Sequence, residues 1–281
     1  MRMTGMLLLV FVSLALSGQS APQASTTPSQ TSAPQTPTTR RPPQAKTQPE
    51  FKDYNEAYAT TGGAAMEKAA TDFAAKYPQS ELRVYLFTKA MHEYQNENNG
   101  PKMLAVGNEV LTLDPDNSIA LVLTATVLAD SFSTSDADFQ QAAAEIKRRT
   151  DRALATIDSA FTPPAGATPE QITAYKSTLQ SMAHSALGIM ELKISDDASA
   201  EKDLTAANEL SKMQPDPYNW YHLALAQDHQ QKYAAALASV NEALKYTASN
   251  PDLARLAQGE RDRLLKLTAQ PVPSQVPQQP K

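Results

Sequence analysis

Three small or apolar landmarks return at a fixed interval in the C-terminal half of the chain. Leu187, Ala200 and Ala207 recur as Leu223, Ala236 and Ala243, each 36 residues further on. Trp220, Leu223, Ala224 and Gln227 lie at spacings of three and four, one face of a helix. A short polar turn near Gln230 to Lys232 follows, and Ala236, Val240, Ala243 and Leu244 then mark a second helix with its own apolar face. Two antiparallel helices of this size cannot bury both faces alone, so the interval demands neighbouring copies of the same pair.

Copies are present upstream. Phe87, Ala90, Met91 and Tyr94 open one unit, closed by Val110 and the LTLDP segment at 111–115. Another starts near Ser118 with Leu121, Thr124, Ala125 and Leu128; its second helix, 139–159, follows an inserted SFSTSDAD. The stretch AATDFAAKYPQS, 69–80, reads as the second helix of a degenerate first unit. Leu253 to Leu267 reads as a polar-backed helix that caps the array. Thr168-Pro169, Asp216-Pro217 and Asn250-Pro251 each pair a capping side chain with a proline in the first turn, and Thr168 with Gln171 has capping-box spacing. Aromatic residues are only 6% of the chain and alanine fills much of the apolar quota, which suits closely packed helices better than sheets.

These residues resemble the tetratricopeptide-repeat family, whose pattern is W-x2-L-G-x2-Y, then A-x3-F, then A and P. Trp220, Leu223, Ala224, Ala236 and Ala243 match it, while Gln227 and Val240 stand where the family has aromatics and the proline is displaced to Pro251. The preceding unit supplies Leu187-Gly188, Ala200 and Ala207, but His184 and Glu191 replace aromatics. Tyr94 and Pro115 fit in the unit that opens at Phe87. The resemblance covers roughly 52–267 and is strongest over 180–250. The Phe73–Ser80 ending is similar to repeats in bacterial envelope members, including those serving outer-membrane assembly or the Tol–Pal system. The resemblance implies an all-α fold in which antiparallel helix pairs stack as a right-handed α-solenoid and first helices line a concave groove. Groove positions carried over are Tyr85, Thr88 and His92; Ile119, Val122 and Thr126; Ser185, Ile189 and Lys193; and Tyr218, Tyr221, Leu225 and His229. Some of these are expected to pack against the next helix instead. Tyrosine and histidine with aliphatic neighbours suit an amphipathic or extended peptide. The family's clamp for chaperone C-terminal carboxylates uses Lys and Asn; Thr88, His92, Tyr221 and Leu225 stand there, so that ligand is not expected.

The flanks differ from this body. Residues 1–20 combine Arg2, an apolar run from Met6 to Leu16 broken only by Ser13, and Gly18-Gln19-Ser20 before Ala21, the three-part pattern of a secretory signal peptide. The run is short for a membrane span, although an uncleaved N-terminal anchor is the alternative reading. Absence of a following cysteine leaves no lipoprotein anchor. Residues 21–49 and 269–281 are rich in Pro, Thr, Ser and Gln and are expected to be disordered tethers around a repeat domain at 50–268 whose capping helix covers 251–268. The PxxP match at Pro277–Pro280 is no more than a Pro-rich tail produces by chance. Residues 50–270 carry 20 basic and 30 acidic side chains, a poor match for nucleic acid. The chain has no cysteine, which removes disulfides, thiolate metal sites and Cys nucleophiles.

Chemistry-bearing patterns are sparse. His222 and His229 are seven residues apart, about 10 Å along a helix, and cannot clasp one metal; His92 and His184 lack companions at ligand spacing. Ser199-Ala-Glu-Lys202 fits S-x-x-K, but neither S-D-N nor K-T-G accompanies it. Asp196-Asp197 reads as a solvated turn, and Lys147-Arg148-Arg149-Arg152 as a solvated helix face or a dock for an acidic partner or phosphate. The reading is a non-catalytic, exported adaptor without cofactor or metal, binding a protein or peptide of the cell envelope in a periplasmic or secreted location. The alternative is a self-associating structural component that contacts the cell wall. One packing test follows: Ala236→Leu would overpack a close helix crossing by about 1–3 kcal/mol and lower the thermal midpoint sharply, whereas an unchanged melt would break the repeat register.

Overall fold

In the computed structural model, residues 43–161 and 166–269 are described. The expected signal peptide, most of the first tether and all but the first residue of the second lie outside the described residues. Among the described residues all regular structure is helical, and the chain divides into two compact units.

The first unit contains residues 43–120 and 155–176. It holds α1 (Gln48–Tyr58), α2 (Gly63–Lys76), α3 (Arg83–Asn96) and α4 (Gly100–Leu113). The first turn of α5 (Ser118–Ser131), the end of α6 (Phe139–Ala160) and the start of α7 (Pro169–Lys193) also belong to it. Helices α2, α3 and α4 pack in succession around Met66, Phe73, Leu86, Met91, Val106 and Val110, all buried. The second unit takes the rest of α5, α6 and α7 and continues through α8 (Asp197–Leu210), α9 (Pro217–His229), α10 (Tyr233–Lys245) and α11 (Pro251–Thr268). There α8, α9, α10 and α11 pack each against the next.

The proline-marked starts act as caps. Asp216 Oδ1 accepts from the Tyr218 amide at 2.9 Å and Asn250 Oδ1 from the Leu253 amide at 3.1 Å. Thr168 and Gln171 bond reciprocally at 2.9 and 3.3 Å, a capping box. The tether expected to reach residue 49 stops earlier. Thr47 Oγ1 accepts from the Glu50 amide at 3.2 Å and opens α1 at Gln48, so residues 48 and 49 are helical. At the other end, Ala269 is the C-cap of α11.

The turn within a pair is itself repeated. Asn98, Ser195 and Gln231 have φ of 54°, 63° and 60°. In each case the next amide reaches back five residues: Asn99 to Tyr94 O, Asp196 to Glu191 O and Lys232 to Gln227 O, all at 2.9 Å. This left-handed C-terminal motif satisfies carbonyls the ending helix would orphan. The last two turns are 36 residues apart, in step with the apolar landmarks.

Small residues stand at the helix crossings. Ala200, Ala207, Ala224, Ala236 and Ala243 are fully buried. Ala224, Ala236 and Val240 cluster with Ala257 and Leu264, and Ala200 and Leu204 with Leu223 and Ala226. Gly188 leaves no space for a methyl: a Cβ there would lie 2.6 Å from Leu204 Cγ and 3.3 Å from the Ala200 carbonyl oxygen. Leu204 is itself fully buried, so any shift must displace other core side chains. Gly188→Ala therefore sets a helix-propensity gain of about 1 kcal/mol against overpacking of about 1–3 kcal/mol. The expected result is a lower thermal midpoint, and a raised one would show that α7 and α8 can move apart.

Candidate functional site

In the first unit, one cleft of about 460 Å³ gathers residues from several elements. Helix α3 gives Val84, Tyr85 and Thr88; the first turn of α5 gives Ser118 and Ile119; Pro43 and Phe161 close the ends. Asn117 caps α5, accepting from the Ala120 amide at 3.0 Å, and so holds Ile119 at the wall. Phe161 is held by stacking on Tyr175, with ring centroids 5.1 Å apart. The Thr88 hydroxyl is buried and has no hydrogen-bond partner. Such a group is costly to leave unpaired, and here it is covered from the cleft space by its neighbours. Tyr85, Thr88 and Ile119 thus meet in one cleft. His92, further along α3, is not among its lining residues; its Nδ1 lies 3.1 Å from Gln95 Oε1, and burial lowers its pKa.

In the second unit, the groove positions have varied surroundings. Ile189 is only 7% exposed and packs with Ala125, Ala129 and Met190, because α5 and α7 meet there; it has little surface for a ligand. Val122 is likewise fully buried. Lys193 donates to the carbonyl oxygens of Ala129, Asp130 and Phe132 at 2.7, 2.9 and 3.0 Å. These three bonds use all its donors and place a cation at the end of α5, where helix carbonyls concentrate negative potential. Desolvation at this position lowers the lysine's pKa. Ser185 donates to Asn219 Oδ1 at 2.6 Å and joins α7 to α9. The Tyr218 hydroxyl accepts from Asn250 Nδ2 at 2.6 Å, and Tyr221 packs on the Ala224–Ala236–Leu264 cluster. Leu225 is half-buried, and His229 is exposed with Nδ1 2.8 Å from Asp197 Oδ1.

His222 stands out among the histidines. Its ring lies between Tyr218 and Tyr221, at centroid distances of 6.5 and 6.0 Å, and its Nδ1 is buried without a partner. Burial, helped by the Lys193 charge, pushes its pKa down to about 4. No spacing rule marks this position, since its recess depends on the flanking tyrosines and on Lys193 of α7. The basic cluster is largely paired within α6: Arg148 and Arg149 with Glu145 at 2.7 and 2.6 Å, Lys147 with Asp151 at 2.7 Å. Ser199 and Lys202 share a face of α8, where Asp196 Oδ1 accepts from the Ser199 amide at 3.3 Å. Among the described residues no group of three or more His, Asp or Glu side chains could hold a metal ion, and no helix is long and apolar enough to cross a membrane.

The helix pairs are tetratricopeptide-like in packing, turn and small-residue crossings. No protein-family model and no curated protein matches the chain. Among solved structures it is similar to a thermophilic TPR protein of Thermus thermophilus, at 15% identity, covering 76% of this chain and 97% of that one with a TM-score of 0.40.

Two measurements test the second unit. Lys193→Met would strip three carbonyls of their donor and destabilise the fold by about 1–3 kcal/mol, read as a lower denaturant midpoint. His222 is held neutral in the fold, so its contribution is intact above its unfolded value near 6.5 and is lost as pH falls toward about 4. His222→Phe should therefore lose less stability than wild type between pH 7 and pH 4.5; equal losses would mean the imidazole is solvated.

Proposed function

We propose that this chain is a non-catalytic helical-repeat scaffold that binds an extended peptide or protein segment in the cleft of its first unit. The observation that supports this reading most is the convergence of Tyr85, Thr88 and Ile119 with Phe161 on one cleft. Tyrosine and phenylalanine offer rigid anchors there, flanked by the aliphatic Val84 and Ile119. The place of action proposed is the cell envelope, after export directed by residues 1–20; the apolar run and its small-residue end motivate that part.

The test is in-cell cross-linking of the tagged full-length chain, with recovery from fractionated cells and mass spectrometry. Wild type is compared with Tyr85→Ala/Thr88→Val, which touches the cleft and none of the buried Ala crossings. The expected outcome is one envelope protein recovered with wild type and at least ten-fold less with the variant, about 1.4 kcal/mol or more of binding. Recovery of the chain itself alone, equal for both, would favour the self-associating structural component. Recovery from cytosol alone would remove the export part of the proposal.

A further inference from the structure

Two positions in the α7–α8 pair carry acids where the α9–α10 pair carries neutral polar groups. Glu191 precedes Gln227 by 36 residues, and Asp203 precedes Ser239 by the same interval. In the later pair the Ser239 hydroxyl donates to Gln227 Oε1 at 2.7 Å, and both side chains are buried. That bond ties the end of the first helix to the middle of the second. In the earlier pair the same two places hold Glu191 and Asp203, which line one cavity, and Glu191 Oε2 is buried without a donor. Asp203 Oδ1 is taken by His184 Nδ1 at 2.6 Å. Ionised carboxylates are acceptors only, so two of them cannot make the link that serine and glutamine make.

We propose that Glu191 and Asp203 share a proton, and that this proton closes a latch between α7 and α8 which opens when it is lost. The surroundings favour holding the proton. The pair borders a cavity of about 450 Å³ whose walls include Leu154, Leu187 and Met190. From α6 it is faced by Lys147 and Asp151, which are paired with each other at 2.7 Å. From α7 it is faced by His184, through Asp203; from α8 and its cap, by Asp196 and Lys202. Desolvation, then the charges of Asp203 and Asp196, push the Glu191 carboxyl up to about 7, against the opposing pull of Lys147. The latch therefore changes state near neutral pH.

The sign follows from linkage. Between about 4.5 and 7 the folded chain keeps a proton that the unfolded chain has released, so this pair's contribution to stability falls as pH rises through that range and is fully lost above about 7. His222 acts in the opposite direction below about 6.5, so the latch is read as a difference between chains that share His222.

The experiment uses the full chain in three forms: wild type, Glu191→Gln, and Glu191→Gln with Asp203→Ser, which rebuilds the neutral pair of α9–α10. Thermal midpoints are taken from pH 5 to pH 8.5. Expected is a gap between wild type and the double variant that widens with pH, the variant being higher by about 2–4 °C at pH 8. In parallel, carboxyl carbon NMR of wild type should give Glu191 a midpoint within one unit of pH 7, with amide exchange in the first half of α8 quickening above it beyond the intrinsic hydroxide dependence. Parallel melting profiles, or a Glu191 carboxyl that titrates below pH 5, would overturn the latch. The NMR titration decides the matter even if a variant fails to fold.

Discussion

Close approach of helix backbones is the constraint from which the rest of each unit follows. Gly188 and Ala224 occupy the same place in successive pairs, and each faces a second helix that is small where it crosses, at Ala200 and Ala236. Side chains larger than a methyl would separate the axes and strip neighbouring leucines of contact. Once the backbones meet there, Leu204, Leu223 and Val240 fill the flanking layers, and the faces left over remain for polar residues. The buried mass of each crossing is slight, so its value lies in what the shortness of the side chains permits around it.

Much of this was legible in the chain itself. Alanine and glycine in register, apolar residues at three- and four-residue spacing, and a capping side chain before a proline each have one physical meaning, and each appears where expected. The start of α1 was hidden because Thr47, Gln48 and Pro49 share the composition of the tether while also forming a cap. The turns inside pairs were harder to foresee. Asn98, Ser195 and Gln231 adopt positive φ without glycine, so the usual punctuation is missing. Here the recurring backbone bond decides the conformation, and residue preference yields to it.

The site was less legible than the fold, for a reason of geometry. A helical wheel tells which residues share a face, but not how deep that face lies. Tyr85 and Thr88 border open space, whereas Ile189, at a comparable position on α7, is covered by α5. Lys193 reads as a groove position in the sequence, yet its three donors end on carbonyls at and just after the end of α5, more than sixty residues earlier. Only the long-range packing distinguishes these cases. Where the repeat departs from its aromatic pattern, at His184 and Gln227, the replacements form hydrogen bonds between helices, to Asp203 and Ser239; such a departure marks polar chemistry in place of lost packing.

The repeated turn has a consequence for how such a chain can vary. The connections α3–α4, α7–α8 and α9–α10 each have three residues, locked by the same backward amide bond. An added residue there would rotate every following side chain by about a hundred degrees and destroy the crossing. The connections between pairs obey no such rule: 114–117 is half the length of 161–168. Growth by insertion is therefore kept out of these three locked turns; it is found in the seven residues 132–138 between α5 and α6 and in the joints between hairpins, and those are the places where a foreign loop or a reporter sequence could be spliced in while each helix keeps its bearing.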